Sequence, residues 1–269
     1  MLKNKLPHHP YQIVDESPWP LIFSIILGIT LLLFVCFNHQ LMKHLNYWLI
    51  FSIIITIFTL FLWFKDIITE SNYLGEHTKA VRKNIKIGFY LFLLSETFLF
   101  FSFFWAFFHS SLSPNIEIGA IWPPMGFENK VLNPLEIPLL NTIILLASGS
   151  TLTSAHYNFK LGNRSKVIRY LIATLFLSCL FLSGQYFEYS NASFTIADSV
   201  YGSTFYFLTG LHGLHIIIGT LFLFTSLIRI FKSQLTIQNH LGFELAIIYW
   251  HFCDIVWLFV FLFVYVWGY

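Results

Sequence analysis

One carboxylate stands in the middle of an apolar run, Glu96 in Phe89-Tyr90-Leu91-Phe92-Leu93-Leu94-Ser95-Glu96-Thr97-Phe98. Its helical neighbours Phe92, Leu99, Phe100 and Phe103 are all apolar. A bare charge at the centre of a bilayer costs several kcal/mol unless it is protonated or partnered. Glu96 is therefore either a proton-relay or lipid-contact group, or a protonated acid hydrogen-bonded to a neighbouring helix.

Histidines supply the second set of candidates. His212 and His215 lie three apart in Gly210-Leu211-His212-Gly213-Leu214-His215, and His251 and Asp254 lie three apart in Trp250-His251-Phe252-Cys253-Asp254. Histidines on facing membrane helices can ligate haem or copper. No Cys-His or Met-His cluster accompanies them, so bonds to backbone, carboxylate or lipid phosphate, and an ion pair within one helix, stand beside metal ligation. Cys36, Cys179 and Cys253 share no close spacing and lie in apolar runs, which reads as packing rather than a disulfide, zinc or redox pair. Ala147, Thr151, Ser154 and Asn158 fall on one helical face, a small-residue stripe suited to close helix packing. His156 closes that stretch as an interfacial hydrogen-bonding residue.

The elements that must position these groups are membrane spans. The 269 residues are 57% hydrophobic and only 10% charged, whereas a water-facing domain carries about 25% charge. That excludes a soluble enzyme, and no nucleic-acid surface, phosphate-cradling loop or nucleophile elbow is present. Seven apolar stretches are long enough to cross a bilayer, near 19–37, 47–64, 87–109, 138–159, 167–187, 203–229 and 243–267. The basic segment 79–86 reads as the start of a long third helix protruding from the membrane. The loop 110–137, with Trp122-Pro123-Pro124 and Asn133-Pro134, reads as turns. The polar start, Met1 to Tyr11, has no apolar signal core, so the first span is expected to insert as the mature chain.

With seven spans, thirteen of the fifteen lysines and arginines fall on the side of the N-terminus, and only Lys43 and Lys130 fall opposite. The positive-inside rule places the N-terminus in the cytoplasm or matrix and Tyr269 on the other face. The abundance of phenylalanine, 32 residues, with much Ile, Asn and Lys, fits an AT-rich organellar genome.

The chain closely resembles the subunit III family of haem-copper cytochrome c oxidases. The resemblance rests on Ser17-Pro18-Trp19-Pro20-Leu21, Leu94-Ser95-Glu96-Thr97, Phe104-Trp105-Ala106-Phe107-Phe108-His109-Ser110-Ser111-Leu112 and Trp122-Pro123-Pro124. It continues through Asn133-Pro134-Leu135-Glu136-Ile137-Pro138, Val200-Tyr201-Gly202-Ser203-Thr204-Phe205, Thr209-Gly210-Leu211-His212-Gly213-Leu214-His215 and Trp250-His251-Phe252-Cys253-Asp254-Ile255-Val256-Trp257. These runs keep the family order from Ser17 onward. The related quinol-oxidase subunit typically has five spans, so seven favour the cytochrome c type.

The resemblance implies an all-α, polytopic single membrane domain, with helices 1 and 2 in about 17–66 and helices 3 to 7 in about 78–269. These form a two-plus-five bundle with a V-shaped cleft that holds phospholipid. It implies no catalytic residue, no cofactor and no metal in this chain; haem and copper are expected in partner subunits. The implied partners are subunit I chiefly, then subunit II and accessory subunits. The implied role is to stabilise subunit I, support proton uptake and protect the metal centre from turnover-linked inactivation. The implied location is the mitochondrial inner membrane, with the N-terminus in the matrix and the C-terminus in the intermembrane space. Glu96 matches the family's buried carboxylate near the cleft. Trp63, Phe64 and Lys65 match a lipid-contact region, and His77 and Arg229 match positions near lipid head groups. Lys65 stands where an arginine is common, which trades a bidentate phosphate grip for a point charge. An independent proton-coupled transporter would use the same Glu96 and histidines, but the paired halves of such proteins are not found. A metal-bearing redox protein would use His212, His215 and His251.

Overall fold

The structure is a computed structural model that describes residues 10–12, 16–40, 44–127 and 131–269. Lys3, Lys5, Lys43 and Lys130, part of the charge partition above, lie outside the described residues, as do His8 and His9. The described residues form helices and no named strand; seven helices are long and apolar enough to cross a membrane. They are α1 (Trp19–Asn38), α2 (Leu45–Thr69), α3 (Lys79–Leu112), α4 (Ile137–Lys160), α5 (Arg164–Asn191), α6 (Val200–Phe231) and α7 (Leu241–Val260). Wider π-helical turns extend α2 over Glu70–Leu74 and α7 over Phe261–Val266.

The seven apolar stretches all become helices, and most helices outrun them. α3 starts at Lys79, as the basic segment suggested, and α2 with its π turn runs through the polar stretch after Phe64. Hydropathy reports where lipid begins and ends. A helix can continue beyond it, since Lys and Glu are good helix formers in water. Among the described residues, the loop before α4 holds a 3-10 turn, Ile116–Ile118, and an Asn turn in which Asn133 Oδ1 accepts from the Leu135 amide at 3.1 Å.

The chain divides into two compact units, one ending at Ile85 and one beginning at Lys86. In the first, α1 and α2 pair as an antiparallel hairpin. Pro20 sits in the first turn of α1, where its missing N–H costs nothing. The buried positions of α2 are Leu45, Ser52 and Thr59, a seven-residue spacing that marks one seam. Ser52 and Thr59 hydroxyls bond back to carbonyls one turn earlier, so they are satisfied without water. Thr30 and Thr56 meet across the seam at 3.1 Å, and Trp19 Nε1 donates to Asp66 at 2.5 Å. No residue of α1 is buried.

The second unit carries the main core. α4 and α5 pack along one another, and Gly184 shows how: a Cβ there would run into Asn141 Oδ1. α7 supplies Trp250 and Trp257, both fully buried, whose indoles bond to α4. Trp250 Nε1 donates to Ser148 Oγ at 3.0 Å, and Trp257 Nε1 donates to Thr142 Oγ1 at 2.9 Å. Burying an indole demands such an acceptor, since its N–H would otherwise be left unpaired in lipid. α3 reaches the others through large rings rather than close backbones. Phe100 lies on His215, Phe92 on Tyr249, Phe104 on Phe263 and Phe107 on Trp267. The three cysteines are free thiols, and Cys253 is part of the core.

Candidate functional site: intramembrane polar pairs

Glu96 and His215 form the central pair of the second unit. His215 Nε2 lies 2.9 Å from Glu96 Oε2, joining α6 to α3, with side-chain exposures of 6% and 19%. The ring's other nitrogen, Nδ1, is 2.8 Å from the Leu211 carbonyl. A carbonyl only accepts, so Nδ1 carries a hydrogen. Nε2 then either accepts from a protonated Glu96 or, as an imidazolium, donates to its carboxylate. Both arrangements hold one proton between the two groups and sum to zero charge, which is what a partly lipid-facing position tolerates. Phe100 and Tyr249 flank the imidazole and keep it in place.

His212 and His215, although three apart, serve different neighbours. His212 is enclosed between Phe181 of α5 and Trp257 of α7, with no hydrogen bond at either ring nitrogen. His251 and Asp254 form the pair within one helix weighed from the sequence, Nδ1 to Oδ2 at 3.3 Å, and His251 Nε2 lies 3.4 Å from Thr153 Oγ1 on α4. Gly149 makes room for this, since a Cβ there would stand 2.5 Å from Asp254 Oδ2. Among the described residues, no three His, Cys, Asp or Glu side chains gather as a metal-ligand set. The ring nitrogens of His215 and His251 bond to separate groups and those of His212 to none, so the three do not make one.

The stripe on α4 packs as its composition suggests: Thr151 Oγ1 meets Thr174 Oγ1 of α5 at 2.8 Å, and Asn158 Nδ2 donates to the Ser154 carbonyl. His156 adjoins His240 and Phe243 at the start of α7.

Of the lipid-contact candidates, Trp63, Phe64, Lys65 and His77 belong to the first unit and Arg229 to the second. Trp63 packs on Phe23, Phe64 and Lys65 are exposed, and His77 sits in the segment before α3. Arg229 is half-buried in the last turn of α6, its guanidinium beside Gly242 of α7. The same end of the unit carries two further basic contacts. Arg164 Nη2 donates to the Ile230 and Phe231 carbonyls where α6 ends, and Lys86 Nζ donates to Glu244 at 2.8 Å.

One cluster went unremarked in the sequence: Gln185 and Glu188 on α5 with Tyr265 at the end of α7. Glu188 sits only three residues from the end of its helix, where hydropathy reads an acid as interfacial. The signal available was Gln185 one turn before it on the same helical face.

Seven apolar helices with polar pairs among them define a polytopic α-helical membrane protein. The family model described as cytochrome c oxidase subunit III matches residues 9–269. The proteins named cytochrome c oxidase subunit 3 of Yarrowia lipolytica, Emericella nidulans and Triticum aestivum are 51%, 49% and 48% identical to this chain. Those matches cover 98%, 99% and 97% of this chain and 97%, 98% and 97% of the relatives. The chain belongs to the cytochrome c oxidase subunit III family. That makes it a component of an oxidoreductase complex, the terminal oxidase.

Proposed function

We propose that this chain is a non-catalytic core subunit of the mitochondrial cytochrome c oxidase. It stabilises subunit I, supports proton uptake there and holds structural phospholipids. The observation that carries this reading is the pairing of intramembrane polar groups with one another: Glu96 is bonded to His215 and Asp254 to His251. Haem and copper belong to the partner subunits. The apolar faces of α1, none of whose residues is buried, call for lipid or a partner chain. Trp63, Phe64 and Lys65, with His77 and Arg229, supply the aromatic and cationic chemistry that suits acyl chains and phosphate. In this reading the N-terminus lies in the matrix and Tyr269 in the intermembrane space, and the bias of basic residues toward the N-terminal side supports it.

The test uses the purified oxidase. Phospholipids retained per complex are counted by mass spectrometry in the wild type and in a Trp63→Ala, Lys65→Ala variant. The variant is expected to lose bound phospholipid and to inactivate faster during turnover, with its haem spectrum unchanged. Full lipid retention, or haem bound to this chain when isolated, overturns the reading.

A further inference from the structure

Where α5 runs toward Asn191, three polar side chains are shut inside the second unit. Glu188 is 1% exposed, Gln185 and Tyr265 are buried beside it, and Tyr265 comes from the π-helical end of α7. Tyr265 Oη donates to Glu188 Oε1 at 2.5 Å, and Gln185 Nε2 donates to the same oxygen at 3.2 Å. Two oxygens remain, Glu188 Oε2 and Gln185 Oε1, both buried and neither hydrogen-bonded. Among the described residues no Lys, Arg or His pairs with Glu188. The titratable groups around it are the phenols of Tyr189 on α5, Tyr201 and Tyr206 on α6, and Tyr265 on α7. α4 contributes no charge here, only the buried amide of Asn141 against Gly184.

An ionised Glu188 would be a buried charge with no cation to offset it, which a protein interior tolerates poorly. A neutral acid carries one O–H. Oε1 already receives two donors, so the hydroxyl belongs on Oε2, and it then needs an acceptor. The orphan Gln185 Oε1 is on the amide whose N–H already bonds to Oε1, one turn away on the same helix. Donation from Oε2 to that oxygen closes an acid–amide ring and satisfies both leftover atoms at once.

We propose that Glu188 is a resident proton-binding site of this subunit. It is a neutral carboxylic acid whose proton on Oε2 is donated to Gln185 Oε1, with Tyr265 capping Oε1 and so fastening the last turn of α7 to α5. No net charge is buried, and every polar atom of the ring has a partner. The site is separate from the Glu96–His215 pair, which needs a second residue to hold its proton.

Infrared spectroscopy of the purified oxidase in H2O and D2O tests this. The wild type is expected to show one deuterium-sensitive protonated-carboxyl carbonyl band that Glu188→Gln removes. The substituted amide can accept where Oε1 does and donate to Gln185 Oε1, so this variant is expected to assemble at near-normal yield. A spectrum unchanged by Glu188→Gln overturns the proposal, and so does failure of that variant to assemble. Tyr265→Phe, which removes one donor to the carbonyl, is expected to raise the frequency of the same band without removing it. A frequency that stays put overturns the assignment of Oε1 as the carbonyl oxygen.

Discussion

Glu96 on α3 and His215 on α6 stand 2.9 Å apart, and the Leu211 carbonyl holds the other imidazole nitrogen as a donor. The pair therefore shares a single proton and is neutral whichever partner holds it. It is also a tie between α3 and α6, two helices that otherwise meet through rings such as Phe103 and Phe207.

Glu96→Gln keeps the tie, because an amide N–H can donate to Nε2. We expect assembly to survive with at most a modest loss of oxygen reduction. His215→Leu leaves Glu96 without its partner and is expected to cost about 1–3 kcal/mol. The thermal dissociation midpoints of the two variant complexes check the contrast. Complete loss of turnover in an assembled, metal-replete Glu96→Gln complex would contradict it.

Gly149→Ala places a methyl 2.5 Å from Asp254 Oδ2. The carboxylate must shift, loosening its contact with His251, at an expected cost of about 1–3 kcal/mol. Adding Asp254→Ala removes the obstructing atom. The second substitution should therefore do less damage in the Gly149→Ala background than alone, measured as a double-mutant cycle on thermal stability.

Trp257→Phe and Thr142→Val each break the indole bond to α4. Their coupling is expected at about 0.5–1.5 kcal/mol. Trp257→Phe paired with Ser148→Ala, whose hydroxyl serves Trp250 instead, should show less coupling. Equal coupling in both cycles would mean that the bonds are not the individual ties their geometry indicates.

Lys86 and Glu244 are each 35% exposed in their side chains, so their 2.8 Å bridge is bathed by solvent or head groups. Lys86→Met is expected to change stability by less than about 1 kcal/mol, with a difference that shrinks as salt is added. A large, salt-independent loss would show the pair to be more enclosed than its exposure indicates.

Much of the fold was legible in the residues alone. Length and apolar content marked all seven helices, and the basic stretch at Lys79 marked the start of α3. The three-residue spacing of His251 and Asp254 was enough to suggest their pairing, because partners on one helix share its geometry. Helix ends were less legible, since α2 continues through polar residues that hydropathy assigns to a loop.

What only the tertiary structure decided is which side chains meet across helices. His212 and His215 look equivalent in the sequence, yet one is sealed between Phe181 and Trp257 and the other holds Glu96. Each outcome depends on the rotation of α6 against three neighbours, and no local pattern encodes that. The same holds for Glu188, whose cap arrives from Tyr265, 77 residues along the chain. Sequence alone determined that Glu96 is either protonated or partnered, because lipid makes a bare charge costly. Helix packing determined that the partner is His215.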